Sequence, residues 1–217
     1  APLSFTITGW MFTFCLLRNP VQCWKNPQIK KGGKRALELL FWGYVLRLNL
    51  PMLLNGQLNN SFLFPDVLQI IGVSLCLTVV IYGCCSPLKR WAGVIFLLLG
   101  LLIFLTEPLY VDIVFRDWPQ PIAGYLTKAN KGVFYLFPWF GYVCMGSCMA
   151  YLFNSKTEQL WAWAFGFLAV GYWLVFKSSA FLIDLEWATG VELFRKVAYN
   201  NFLFIRLGDV CLLFGGF

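Results

Sequence analysis

Residues 133–153, VFYLFPWFGYVCMGSCMAYLF, are an unbroken apolar run without a single charge. The hydrocarbon core of a bilayer is about 30 Å thick and takes about 20 apolar residues as a helix. The run is therefore long enough to cross a membrane. Pro138 and Trp139 stand near its start, followed by the small residues Gly141, Gly146, Ser147 and Ala150. Small side chains let helix backbones approach closely. That pattern predicts a membrane helix packed against other helices rather than an anchor surrounded by lipid.

The rest of the chain agrees with such a setting. Only 12% of its 217 residues are charged, against 59% hydrophobic, with a mean hydropathy of +0.69. A soluble globular chain carries about a quarter charged residues, so this one lacks the charge to cover a water-facing surface. Ten Trp, nine Tyr and twenty-two Phe suit bilayer interfaces and packed helix seams. The expected fold class is all-α: a polytopic integral membrane helical bundle with about seven transmembrane helices, forming one domain over residues 1–217.

Those seven apolar segments fall at about residues 3–17, 36–54, 66–85, 91–106, 133–153, 160–176 and 202–217. The connectors between them alternate in charge. Those after the first, third and fifth segments carry nine Lys or Arg against one acid, Glu158. Six of the nine lie between Arg18 and Arg35. The other connectors are near balance. By the positive-inside rule the connector from Arg18 to Arg35 is expected in the cytoplasm and Ala1 on the outer side. This explains most of the net charge of +7, so nucleic acid is not an expected partner, whereas membrane lipids are.

Ionisable groups within a bilayer are costly and usually face a cavity or a partner. Arg47, eleven residues into the second segment, either snorkels to the outer surface or holds an anionic group with its fixed fork of donors. Arg206 and Asp209 are three residues apart on one helix face; they form an intrahelical ion pair or line a polar pathway. Asp66 follows Pro65 and is placed to cap the third segment. Gln69, one turn further in, has no evident capping duty and is the better candidate for a functional contact. Glu38 is spaced to pair with Lys34 at the membrane edge.

Eight cysteines lie mostly within apolar runs, where Cys behaves as a small hydrophobe. Neither the Cys144/Cys148 pair nor the vicinal Cys84–Cys85 has zinc-site spacing, and no metal is expected. No histidine is present, which removes the commonest general base. No GxSxG, phosphate loop or HExxH motif occurs.

Several stretches, in order, resemble one family. APLSFTITGWMFTFCLLR and the later KRALELLFWGYVLR are similar to the second and third helices of transmembrane acyltransferases. The likeness is to the heparan-α-glucosaminide N-acetyltransferase catalytic domain and its bacterial relatives. FPDVLQIIGVSL and LFPWFGYVCMGSCMAYLF resemble their following helix and their Pro-Trp helix. The resemblance implies a domain of about ten helices with a cavity open to both faces. It also implies transfer of an acyl group from cytoplasmic acyl-coenzyme A to an acceptor, commonly a sugar, on the outer side. No tightly bound cofactor is implied; acyl-coenzyme A would be a co-substrate and the glycan acceptor a partner. Arg47, Gln69, Trp139 and Arg206 would then line the cavity and hold substrate, with Asp66 and Asp209 as secondary candidates. The family's catalytic histidine belongs to a first helix that would precede Ala1. The chain therefore reads as a fragment lacking that helix, or as a relative that has lost the chemistry.

Two other classes compete. One is a structural or inactive membrane subunit of a larger assembly, to which the absent histidine points. The other is a transporter, suggested by Arg47 and the Arg206–Asp209 pair. Against the transporter, no inverted repeat and no matching pair of Gly/Pro-broken helices is visible.

Overall fold

A computed structural model describes residues 1–19, 23–48, 62, 64–85, 91–111, 113, 118–126, 134–155 and 160–216. The polar connector at 55–61, the turn at 86–90, Asn49, and the connector charges Lys156 and Glu158 lie outside the described residues. All regular structure among the described residues is helical: α1 (Pro2–Leu17), α2 (Pro27–Leu46), α3 (Val67–Cys85), α4 (Ala92–Leu105), α5 (Glu107–Tyr110), α6 (Gln120–Leu126), α7 (Leu136–Ser155), α8 (Leu160–Phe176), α9 (Ser178–Thr189), α10 (Glu192–Tyr199) and α11 (Phe202–Gly216), with a 3-10 turn at Cys23–Lys25.

The helix that holds the bundle together is α7. It is buried at every position from Phe140 through Ala150. α1 packs along it in parallel. Phe5 stacks on Trp139, 5.2 Å between ring centroids, and Thr13 Oγ1 donates to Ser147 Oγ over 2.9 Å. The closest approach falls at two glycines, where a Cβ on Gly9 would overlap the Val143 carbonyl and one on Gly146 the Thr6 carbonyl. Membrane helices have no hydrophobic drive to associate with one another and rely on such close packing. Two antiparallel pairs use the same device. Gly93 and Gly100 of α4 face Tyr151 and Met145 of α7, and Gly171 of α8 faces Gly208 of α11.

Asn26 ties three helix ends together. Its Oδ1 accepts from Gln28 N (2.9 Å) as the cap of α2, while its Nδ2 donates to the Leu16 carbonyl (3.0 Å) at the end of α1. The Tyr82 hydroxyl, at the end of α3, lies 3.5 Å from the same amide. Proline at the first position of α2 completes a helix start. As a result α2 begins nine residues before the expected 36 and takes Lys30, Lys31, Lys34 and Arg35 into its first turns. The basic stretch is thus largely helix rather than connector. At its other end α2 stops at Leu46, short of the expected 54, so Arg47 is its C-cap rather than a residue within the helix.

Two helices, α3 and α7, are long and apolar enough to cross a membrane, or four spans if two bent pairs each count as one. α1 and α4, at 16 and 14 residues, are apolar but shorter, and α2 carries five charges. Length and composition among the described residues thus do not reach the seven expected spans. The bent pairs are α8–α9, turning by 66° at Lys177, and α10–α11, turning by 59° at Asn200–Asn201. Neither break uses Gly or Pro, which is why no motif announces them. They meet: Asn201 Nδ2 donates to Ser178 Oγ (2.7 Å) and Ser179 Oγ (2.8 Å).

Candidate functional site

The polar residues gather where α2 ends and α3 begins. Arg47 Nη1 donates to the Phe64 carbonyl over 2.8 Å, and its Nε lies 3.5 Å from Asp66 Oδ2. The Asp66 carboxylate accepts from the N–H of its neighbour Val67 (2.7 Å), the first residue of α3. Gln69 reaches back one turn, and its Oε1 accepts from the Asp66 backbone N–H over 2.5 Å. That is the returning half of a capping box, so Gln69 does have a capping duty, contrary to the sequence reading. Gly43 makes room for it, since a Cβ there would stand 2.7 Å from Gln69 Cγ.

The capping bond has a consequence. With Oε1 committed to a backbone donor, the amide orientation is set and Nε2 points elsewhere. Gln69 is fully buried, and among the described residues Nε2 has no hydrogen-bond partner. A buried donor left unmade costs about 1–3 kcal/mol, which an acceptor atom from a bound molecule would recover.

Beside this joint the hydroxyls of Tyr44 and Tyr125 lie 2.9 Å apart. Burial first, and then the bond to Tyr44, push the Tyr125 phenol well above its ordinary range, with the Arg47 charge pulling weakly the other way. Tyr125 is therefore a neutral phenol across physiological pH. Nothing in one sequence joins residues on α2 and α6, and this pair was not foreseen.

Trp139 sits elsewhere, between Phe5, Phe134 and Tyr142. Its indole Nε1 is also buried, with no hydrogen-bond partner among the described residues. Tyr142, beneath it, donates to the Leu203 carbonyl of α11 over 3.0 Å. Arg206 and Asp209 are a half-exposed pair at 3.2 Å, with the Arg206 guanidinium 5.3 Å from the Phe202 ring centroid. The six nominated residues thus fall in three places: Arg47, Asp66 and Gln69 together, Trp139 within an aromatic stack, and Arg206 with Asp209 on α11. Among the described residues no group of three potential ligands comes together for a metal ion.

A family profile described as heparan-alpha-glucosaminide N-acetyltransferase, catalytic, matches residues 1–183. The chain belongs to this family. No curated protein and no solved structure matches it. Membership, together with the apolar helices, makes the chain an integral membrane protein of acetyltransferase type. The α2–α3 joint and Trp139 lie inside the matched residues; Arg206 and Asp209 lie beyond them. The histidine-free sequence contributes no imidazole base to the family's chemistry.

Proposed function

We propose that this N-acetyltransferase-family chain holds substrate for acyl transfer from cytoplasmic acyl-coenzyme A to an acceptor, a sugar, on the outer side of the membrane. The observation that carries this reading is the buried, unpartnered Gln69 Nε2 at a joint that also offers a guanidinium and a phenol pair. A cationic fork and an amide donor suit carbonyl, hydroxyl or phosphate oxygens. Gln69 donates to the ligand, Arg47 steadies it, and Trp139 offers a ring face and a free N–H. Arg206 and Asp209 serve at a second polar position on α11. The basic end of α2 faces the cytoplasm, which puts Ala1 and the α2–α3 joint on the outer side. The whole of 1–217 works as one domain, bathed in lipid and open to contact with further membrane subunits.

A second reading, a structural subunit, is favoured by one observation: Arg47 already holds the Phe64 carbonyl and Asp66. Transfer of labelled acetyl from acetyl-coenzyme A to a glucosamine-terminated acceptor, in membranes carrying the protein, separates the two. Arg47→Ala and Gln69→Ala should each lower the rate by about tenfold or more, the size of one lost charged or buried hydrogen bond. Folded variants with wild-type rates would favour the structural role.

A further inference from the structure

The side of α2 turned away from the bundle changes character along its length. Its buried positions are Ile29, Gly32, Ala36 and Gly43, which lie on the α3 side. On the opposite side Lys30, Lys31, Lys34 and Arg35 are all exposed. Immediately beyond them Leu37, Phe41, Trp42 and Leu46 are exposed as well, each by more than half. Helical spacing aligns Lys30, Lys34, Leu37 and Phe41 on one strip and Lys31, Arg35 and Trp42 on the strip beside it. Basic foot and apolar shaft are therefore one continuous surface. From Lys31 to Phe41 it rises about 15 Å, the span from a headgroup phosphate to the upper acyl chain. The one acid on that surface, Glu38, is taken up by Lys34 at 3.7 Å.

The same end of the bundle carries exposed indoles. Trp24 and Trp91 stand at the adjoining helix ends, both more than half exposed. Trp24 is fixed there, because its ring lies over Gly83 of α3, where a Cβ would stand 2.6 Å away. Indoles seat at the headgroup level of a bilayer.

We propose that this face of α2 is a docking strip for an anionic phospholipid, with the phosphate on Lys30, Lys31, Lys34 and Arg35 and an acyl chain along Leu37, Phe41 and Trp42. Charge complementarity selects the occupant: four cations at the foot favour an anionic headgroup, and the apolar shaft requires a lipid rather than a free anion. The strip rests on the chain being membrane-embedded and not on acyl transfer.

The test uses the purified full chain in micelles offered equal amounts of phosphatidylglycerol and phosphatidylcholine, then washed and extracted, with retained lipid quantified by mass spectrometry. Phosphatidylglycerol should be enriched by about tenfold or more, given the strength of basic clusters at anionic surfaces. The fourfold variant K30Q/K31Q/K34Q/R35Q should bring the two lipids level, while K177Q/K196Q, remote from the strip, should leave the preference intact. If the fourfold variant does not fold, a wash of the wild type in about 0.5 M salt decides, since screening removes a charge-based preference and should level the two lipids. Equal retention by the wild type, a preference that survives the fourfold substitution or the salt wash, or its displacement by millimolar inorganic phosphate would overturn the proposal.

Discussion

Replacing Gly146 by Ala should loosen the contact between α1 and α7 on which the bundle rests. The new methyl would overlap the Thr6 carbonyl oxygen and stand 2.9 Å from the Trp10 backbone nitrogen. Both obstacles are backbone, so no side chain can swing aside and the helices must part. Overpacking of this kind costs about 1–3 kcal/mol. Parting the helices also stretches the Thr13–Ser147 hydrogen bond, now 2.9 Å, for about 1 kcal/mol more. Against this, Ala gains up to about 1 kcal/mol over Gly in a helix interior. The net expectation is a loss of about 1–3 kcal/mol. Gly166 of α8 supplies the control, because nothing among the described residues lies within 4 Å of a Cβ added there. Gly166→Ala should be neutral or stabilising by up to about 1 kcal/mol. Reversible unfolding in mixed micelles, followed by tryptophan fluorescence or circular dichroism, measures both. The two variants make the same chemical change, so their difference isolates packing. Equal stabilities would refute the close crossing at Gly146.

Three further outcomes are expected. Asn26→Ala removes the α2 cap and the bond to the Leu16 carbonyl, and should cost about 2–3 kcal/mol in the same unfolding assay. Tyr142→Phe deletes a buried donor to the Leu203 carbonyl and should cost about 1 kcal/mol or somewhat more. Because the Tyr125 phenol is raised above 10.0 in the fold, the unfolded chain loses that proton first, so stability is full below pH 10 and falls as pH rises above it. Unfolding scans from neutral to alkaline pH should show a shallower fall in Tyr125→Phe.

Much of the bundle was legible because apolar runs end where charges begin. The limits of α1, α3, α4, α8 and α11 fall within about two residues of the runs that predicted them. The N-terminal half of α2 was not read as helix because its lysines resemble a connector, although Asn26 followed by Pro27 is a helix-start signal. The capping bond of Gln69 goes unread for a related reason: Asp66-x-x-Gln69 is capping-box spacing, and only Asp66 is read there as a cap. The segment after Lys177 mixes polar and apolar residues, so α9 and α10 were hidden there. Gly190, with φ of 70°, marks the end of α9 and was a usable stop signal. The Arg206–Asp209 spacing was visible within one helix. The Tyr44–Tyr125 pair and the parallel run of α1 along α7 depend on contacts between distant segments, which a single sequence does not display.

The most direct measurement on the α2–α3 joint pairs stability with ligand binding in Gln69→Met. Methionine keeps the shape of the side chain and removes both polar groups. It gives up the 2.5 Å bond from the Asp66 N–H, worth about 1 kcal/mol, and relieves the buried unpartnered Nε2, worth about 1–3 kcal/mol. A residue kept for binding should therefore leave the variant as stable as the wild type, or more so, while affinity for acetyl-coenzyme A or the glucosamine acceptor falls by about tenfold or more. A variant that loses stability yet binds both substrates as the wild type does would make Gln69 a cap alone and contradict a substrate site at this joint.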